Sequence, residues 1–172
     1  MTTGRVAELW RHPVKSMGGE TLERITLTDT GVPGDRAWGA WWRDAVGPLS
    51  AKRVPALMKC RASLPAGDTV PEIELPDGSR HHAGDSAAAA ALSGVLERET
   101  TLWPRLPLAQ VNALREPGAR DPETAAAVRQ ALGIPARSPL PAPEALPAGL
   151  AEMAVREAGL QDAAPLLLVT TA

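Results

Sequence analysis

The sequence predicts a mainly β domain of the α+β class, built as a small barrel or sandwich with two short helices and a proline-rich connector. Three observations predict this fold. Short stretches of alternating apolar and polar residues recur between glycine and proline turns through the first half of the chain, which is typical of such β domains. Two stretches with helix-capping residues follow them. Residues 135–147 then contain five prolines, too many for a helix or a central strand.

The bulk composition is that of an ordinary soluble globular protein. Of 172 residues, 44% are hydrophobic and 22% are charged, and the formal net charge is −2. This charge gives no reason to expect nucleic acid or a membrane surface as the main partner. No stretch approaches the roughly 20 apolar residues that span a bilayer. The N-terminal residues carry no signal-peptide pattern, so we expect a mature, cytoplasmic protein with no nucleic-acid or membrane partner.

The first two predicted strands lie on either side of a loop. Residues 5–11 read as a strand that ends before Pro13, because proline cannot donate to a β-ladder. Residues 21–28 place Ile25 and Leu27 two positions apart among polar neighbours, the period-2 pattern of a half-buried strand. We therefore expect Ile25 and Leu27 to face the core.

The third predicted strand, at residues 36–42, is rich in tryptophan. Since the chain has no Phe and no Tyr, its five Trp must supply all the aromatic packing. Alternation along the strand puts Trp38 and Trp42 on one face and Trp41 on the opposite face. Two more strands are predicted over residues 57–64 and 72–75.

The first predicted helix is capped at residues 85–86, where Asp and Ser precede a run of alanines. It runs through residues 87–98. Its apolar stripe consists of Leu92, Val95 and Leu96, which are spaced to share one face of a helix.

The second predicted helix has clearer boundaries. Asp121 occupies the N-cap position, Pro122 lies in the first turn, and Gly133 follows the last turn. Val128 and Leu132 are one helical turn apart and share a face. The proline-rich residues 135–147 then read as an exposed, extended connector.

The chain closes with the apolar run 166–169, which reads as a buried strand. A domain seldom ends on an unpaired apolar strand, so we expect the sequence to stop inside a further domain. The predicted division is a β-barrel-like core over 1–103, a helix and connector region over 104–160, and the start of a truncated domain over 161–172.

The segment between the first two strands has the composition of an anion-binding loop. Lys15 supplies a point charge and Ser16 a short hydroxyl donor, while Gly18 and Gly19 allow the main chain to approach a ligand closely. The spacing is not that of a Walker A loop. A polar turn with an exposed lysine explains the same residues, and composition does not choose between the two.

Two further cationic segments follow. Arg36 begins a predicted strand just after a turn, where a guanidinium can bind an oxyanion through two parallel hydrogen bonds and Asp35 can orient it. A local ion pair between these two residues is the alternative interpretation. Lys52 and Arg53 are adjacent cations, for which a solvated turn is the simpler interpretation.

Other candidate ligands are interpreted structurally. Cys60 is the single cysteine, which excludes an intrachain disulfide, and its apolar neighbours indicate a buried thiol. Lys59 and Arg61 flank it but would point to the opposite face of a strand. His81 and His82 are adjacent and would also face opposite ways, so we expect no metal site there.

Three motifs in this order resemble the N-terminal β-barrel domain of MOSC proteins: Pro13–Gly19, Gly34–Trp38 and Ser50–Leu57. This family includes the mitochondrial amidoxime-reducing component, its bacterial relatives and the C-terminal part of molybdenum cofactor sulfurases. Residues 161–172 resemble the segment that leads into the MOSC domain proper. Residues 104–160 show only loose similarity.

The resemblance implies roles for five residues. In similar proteins the Lys-Ser of the first motif holds the terminal phosphate of the molybdenum cofactor (molybdopterin), which here would be Lys15 and Ser16. The arginine of the second motif contributes to the same site, which here would be Arg36. Thr170 and Thr171 fall where the family's chain passes close to the cofactor. The family's molybdenum-ligating cysteine lies beyond the end of this sequence, so no catalytic residue and no metal ligand is assigned.

The expected function is therefore the cofactor-phosphate-binding part of a MOSC-type oxidoreductase that reduces N-hydroxylated or related substrates. Alone it should be catalytically incomplete. Its partner would be a MOSC domain, in cis if the sequence is truncated or in trans if the protein is split, together with an electron-donor protein. Two alternatives stay open: a free-standing interaction module that docks onto a separate MOSC domain, or part of a sulfur-transfer protein. Nothing in the sequence resembles the pyridoxal-phosphate domain of the sulfurases.

Overall fold

The computed structural model describes residues 5–28, 31–45, 47–115, 121–147 and 150. The strands are β1 (Trp10–Arg11), β2 (Glu20–Thr21), β3 (Trp38–Trp42), β4 (Arg61–Ser63), β5 (Glu72–Glu74), β6 (Arg80–His82) and β7 (Thr100–Pro104). The α-helices are α1 (Ser86–Leu96), α2 (Leu108–Arg115) and α3 (Pro122–Leu132), and short 3₁₀ helices cover Pro55–Lys59 and Pro143–Ala145. Within the described part, no helix is long and apolar enough to cross a membrane.

The strands form small antiparallel sheets, which confirms the α+β class. β1 pairs with β2, β3 pairs with β7, and β5 lies between β4 and β6. No closed barrel forms among the described residues, because isolated parallel bridges replace continuous ladders between the sheets. Val14 bridges to Trp38 at the start of β3, and Gly18 bridges to Arg61 at the start of β4. The segment between β1 and β2 therefore connects the other two sheets.

Two strand predictions were too long. β1 and β2 pair only at Trp10 with Thr21 and at Arg11 with Glu20, so most of residues 5–11 and 21–28 lies outside regular strand. Leu27 has 61% of its surface exposed and does not face the core. Because β1 and β2 pair at only two positions, the residues on either side of these pairs belong to no sheet. The apolar residues of the alternating pattern therefore have no sheet face that would bury them.

The prediction for residues 57–64 was half wrong, because Pro55–Lys59 is a 3₁₀ helix and only Arg61–Ser63 is strand. Pro55 stands in the first helical turn, where its missing N–H costs nothing and its fixed φ suits a helix. The prediction for residues 72–75 is confirmed by β5.

The described residues contain three helices rather than the predicted two. α1 ends at Leu96, two residues before its predicted end, with Glu97 in the left-handed conformation as its C-cap. α3 is confirmed with both caps: the Asp121 carboxylate accepts a hydrogen bond from the Thr124 N–H, and Gly133 has a φ of 70°. α2 was missed because its buried side chains, Val111 and Leu114, are too few to make a pattern.

The hydrophobic core consists of two clusters on opposite faces of β3, and the predicted alternation of its tryptophans is confirmed. Trp38 is buried in the first cluster, against which Trp42 also packs. Trp41 is buried in the second cluster, where Trp103 of β7 joins it. The first cluster contains side chains from the small sheets and α1, whereas α2 and α3 contribute to the second.

The proline-rich residues 135–147 are not the fully exposed connector that was predicted. Leu140 and Leu146 pack against the second cluster, and Leu150 is buried in it. Proline removes main-chain donors but does not prevent the leucines between the prolines from burying apolar surface. The predicted strand at 166–169 lies outside the described residues, and the domain boundaries stay predictions.

Candidate functional site

The segment between β1 and β2 is held against the start of β3 by its main chain. The Lys15 N–H donates to the Trp38 carbonyl at 2.8 Å, and the Trp38 N–H donates to the Pro13 carbonyl at 3.0 Å. This is a short parallel pairing, and it fixes the direction of the side chains on both sides. Because Val14 is fully buried in the first core cluster, Lys15 next to it is directed away from that core.

The other end of the same segment is held by β4. The Gly18 N–H donates to the Cys60 carbonyl and the Ala62 N–H donates to the Gly18 carbonyl, both at 2.8 Å. Val14 and Met17 are buried, and Lys15 and Ser16 between them are half-buried. We call the segment between β1 and β2 the loop, and Lys15–Ser16 its crest. Main-chain hydrogen bonds on both flanks fix the position of the crest.

Ser16 has a φ of 68°, in the left-handed region. A residue with a Cβ atom pays roughly 1–2 kcal/mol for this conformation. Such residues persist where the surrounding structure over-determines them, and they cluster at ligand-binding positions. The main-chain bonds on either side of the crest supply that constraint here.

We expect Ser16→Gly to be about 1 kcal/mol more stable than Ser16→Ala, because glycine adopts a positive φ without steric cost and its extra freedom when unfolded offsets only part of the gain. Both variants lose the hydroxyl group, so their difference isolates the backbone. Urea unfolding followed by circular dichroism measures it. Equal stabilities would show that the crest relaxes to a negative φ once the serine is replaced.

Arg36 is joined to the beginning of the loop through Asp35. One carboxylate oxygen of Asp35 accepts the His12 N–H and the other accepts the Arg36 Nε–H, both at 2.7 Å. The Arg36 N–H also donates to the His12 carbonyl at 2.6 Å. The two side chains of the ion pair are only 21% and 14% exposed, so it is not a solvated surface pair. Asp35 orients Arg36, and Arg36, like Ser16, has a positive φ, of 49°.

The structure thus brings two of the three cationic segments together and leaves one apart. The crest and Arg36 lie on adjacent main-chain segments: the Lys15 N–H bonds to Trp38 at the start of β3, and the Arg36 N–H bonds to His12. Lys52 and Arg53 are exposed on a turn, as the simpler interpretation expected. Thr170 and Thr171 lie outside the described residues, and their role stays a prediction.

Arg105 is a cation near the site that the sequence did not single out. Its N–H donates to the Ala37 carbonyl at 2.7 Å, which places it directly after β7 and next to Arg36. Burial, and then the neighbouring charge of Arg36, lower the pKa of Arg105 below its ordinary value. In a sequence, an arginine that follows an apolar strand is only a weak sign of a binding residue. Its proximity to Arg36 is visible only from the pairing of β7 with β3.

Cys60 is buried, as predicted, and burial raises the pKa of its thiol. The thiol therefore stays protonated at neutral pH, and Lys59 and Arg61 are exposed beside it. The side chain is fully enclosed, so the thiol is not accessible to a metal ion or a substrate in this structure. Among the described residues, no group of three or more His, Cys, Asp or Glu side chains could hold a metal ion.

A cleft of about 390 Å³ beside β2, β4 and β5 also contains arginines, but it lacks the charge of an anion site. Arg80 lies 2.8 Å from Glu74 and 3.5 Å from Glu72, so its charge is compensated by carboxylates. Arg61 and Glu20 complete the charged lining, which holds more carboxylates than guanidinium groups. The loop and Arg36 are therefore the better candidate for binding an anion.

The family model of the MOSC N-terminal beta barrel domain matches residues 3–100. The match covers more than half of the 172 residues and includes the crest and Arg36, whereas Arg105 lies outside it. No curated protein matches the chain.

Proposed function

Because the chain belongs to the MOSC N-terminal beta barrel family, which is associated with the molybdenum cofactor, we propose that it binds the terminal phosphate of that cofactor. One observation carries the proposal. Asp35 joins the loop that bears Lys15 and Ser16 to the guanidinium of Arg36, through two hydrogen bonds of 2.7 Å. An ammonium, a hydroxyl and a guanidinium group are thereby kept on adjacent segments of the chain.

The residues present fit the phosphate end of the cofactor and not its metal. A phosphate monoester carries about −1.5 to −2 charges at pH 7 and accepts hydrogen bonds through its oxygens. Ammonium, hydroxyl and guanidinium groups are the donors that such an anion prefers. The thiol of Cys60 is fully enclosed, so it is not placed to ligate molybdenum.

Each residue of the site has a distinct part in binding. Lys15 offers a point charge, and Ser16 offers a short hydroxyl donor on a residue whose backbone has a positive φ. Arg36 offers a planar fork that is oriented by its Nε–H bond to Asp35. The bound cofactor would supply the redox chemistry at its metal, while these residues hold and orient it.

The finer parts of the proposal concern the assembled protein. We infer an oxidoreductase that reduces N-hydroxylated or related substrates, with a MOSC domain supplying the cysteine ligand and a separate protein donating electrons. The family match supports only the association with the cofactor. The proposal includes no nucleic-acid or membrane partner, and the cytoplasmic location stays a prediction.

The test is cofactor retention by the chain assembled with a MOSC domain. We expect Lys15→Gln to lower the molybdenum and molybdopterin content at least about tenfold, because one charge-assisted hydrogen bond contributes roughly 1.5–3 kcal/mol. Lys52→Gln, which neutralises an exposed lysine, is the matched control and should change neither quantity.

The outcome that contradicts the proposal is unchanged cofactor content in Lys15→Gln and in the double variant Lys15→Gln/Arg36→Gln. If both variants also bound the MOSC domain normally, the chain would be an interaction module rather than a cofactor-binding part. The sulfur-transfer alternative has no observation among the described residues that favours it over the oxidoreductase.

A further inference from the structure

His12 is the residue at which the loop and the turn before β3 meet. Its main-chain N–H donates to the Asp35 carboxylate at 2.7 Å, and its carbonyl accepts the Arg36 N–H at 2.6 Å. Its ring contacts the loop instead, because Nδ1 lies 3.2 Å from the carbonyl oxygen of Met17. His12 therefore touches both parts of the proposed phosphate site, one through its main chain and the other through its ring.

The contact with the His12 ring falls on the peptide group that follows the crest. The Gly18 N–H of this peptide donates to the Cys60 carbonyl at 2.8 Å, while its Met17 carbonyl faces Nδ1 of His12. Both ends of the peptide are thus held, and its plane cannot rotate without losing one of the two contacts. Ser16, which precedes it, has the positive φ that persists only where the surroundings fix it.

The imidazole ring is itself held in place. It stacks on the ring of Trp10, with centroids 6.2 Å apart and planes inclined by 19°, and the Trp10 indole N–H donates to the Glu8 carboxylate at 2.7 Å. The chain that leaves the loop also passes close to the ring, since a Cβ atom at Gly19 would lie only 2.7 Å from Nδ1. The glycine permits this approach, which keeps Nδ1 beside the loop.

We propose that His12 is a positioning residue of the phosphate site. Its neutral ring carries the proton on Nδ1 and donates it to the Met17 carbonyl, which fixes the crest relative to Asp35 and Arg36. A carbonyl oxygen only accepts, so the contact at 3.2 Å is a hydrogen bond when Nδ1 bears the proton. This inference rests on the proposed function and deepens it.

The exposure of His12 separates its effect on binding from its effect on folding. Because His12 is exposed, a water molecule can take the place of the ring at the Met17 carbonyl, and the free energy of unfolding should change little. Water cannot replace the link between the loop and the turn that bears Arg36. We therefore expect substitutions of the ring to weaken anion binding more than they weaken the fold.

The experiment measures the binding of inorganic phosphate to the full 172-residue chain by isothermal titration calorimetry. His12→Leu should bind about threefold to tenfold more weakly than the wild type, as expected for the loss of one neutral hydrogen bond. His12→Asn should stay within about twofold of the wild type, because its amide NH2 lies where Nδ1 does and keeps the donor. His82→Leu is the matched control, since it replaces an exposed histidine of β6 and should bind like the wild type.

Two further measurements distinguish positioning from a merely structural role. His12→Leu and His12→Asn both lose the stacked ring, so urea unfolding checks that their difference in affinity does not follow a difference in stability. Nitrogen NMR of the 15N-labelled chain, at a pH where the ring is neutral, shows which ring nitrogen carries the proton. We expect the proton of His12 on Nδ1.

The outcomes separate this inference from the proposed function. Wild-type affinity in His12→Leu, or a neutral His12 ring protonated on Nε2, would overturn the role of His12 alone, provided that the wild type binds phosphate and Lys15→Gln does not. Absence of phosphate binding in the wild type would overturn both. If His12→Leu did not fold, as judged by circular dichroism, His12→Asn would decide, since tenfold weaker binding in that variant would contradict the donor role of Nδ1.

Discussion

Replacing Arg36 with glutamine is expected to abolish useful cofactor binding and to destabilise the protein at the same time. In the proposed site the guanidinium would offer the anion a charge and two parallel donors, so its loss should weaken phosphate binding about a hundredfold. Asp35 then keeps its bond to the His12 N–H but loses its cationic partner while remaining largely buried. An uncompensated carboxylate of this kind costs roughly 1–3 kcal/mol. Phosphate titration and urea unfolding measure the two effects.

Two variants control for this result. Arg80→Gln removes an arginine from ion pairs with Glu72 and Glu74 on the surface, and it should cost less than about 1 kcal/mol without changing phosphate binding. The double variant Asp35→Asn/Arg36→Gln removes both charges and should recover part of the stability but none of the binding. If Arg36→Gln bound phosphate within a factor of two of the wild-type affinity, Arg36 would not be a phosphate-binding residue.

Replacing Trp41 with alanine should have the largest effect on folding. Trp41 is fully buried between the β3–β7 sheet and the helices α2 and α3. Its indole N–H has no hydrogen-bond partner within the described part of the chain, so its contribution is packing. Removing it should lower the free energy of unfolding by about 3–5 kcal/mol, the usual cost of truncating a buried aromatic side chain.

Urea unfolding followed by tryptophan fluorescence and circular dichroism measures this loss. Trp10→Ala is the matched control, since Trp10 is 43% exposed and its removal should cost no more than about 1 kcal/mol. A loss below 1 kcal/mol in Trp41→Ala would show that the second cluster does not unfold cooperatively with the rest. Phosphate binding should be unaffected at urea concentrations where the variant is folded, because Val14 and Met17, which anchor the crest, belong to the first cluster.

Local signals in the sequence predicted the parts of the fold that depend on neighbours in the chain. Asp121, Pro122 and Gly133 bound α3 because capping is decided within one turn of helix. The tryptophan pattern of β3 was read correctly because a strand buried on both faces imposes period-2 alternation. Both features can be predicted without knowing which elements pack against α3 or β3.

The errors have a common physical cause, which is that tertiary contacts decided the outcome. Residues 21–28 alternate like a strand, yet most of them find no partner ladder and Leu27 stays exposed. Residues 108–115 form a helix although only Val111 and Leu114 are buried there. The packing of these two side chains in the second cluster stabilises a helix that has no strong amphipathic pattern of its own. Neither result could be derived without the three-dimensional arrangement.

The same distinction applies to the site. Lys15, Ser16 and Arg36 could be proposed as site residues because the loop and the turn before β3 have recognisable compositions. Their left-handed backbone and the bridging carboxylate of Asp35 are visible only in the structure. Arg105 was missed because its proximity to Arg36 depends on β7 pairing with β3, a contact between residues far apart in sequence.

The most direct test of the central claim is a phosphate titration of the 15N-labelled chain followed by two-dimensional amide NMR. The account predicts saturable shifts of the amide signals of Lys15, Ser16 and Arg36, with little change at Arg61 and Arg80 of the cleft beside β2, β4 and β5. Shifts concentrated at Arg61 and Arg80, or no saturable shifts at the crest and Arg36, would contradict the assignment of this loop as the phosphate-binding site.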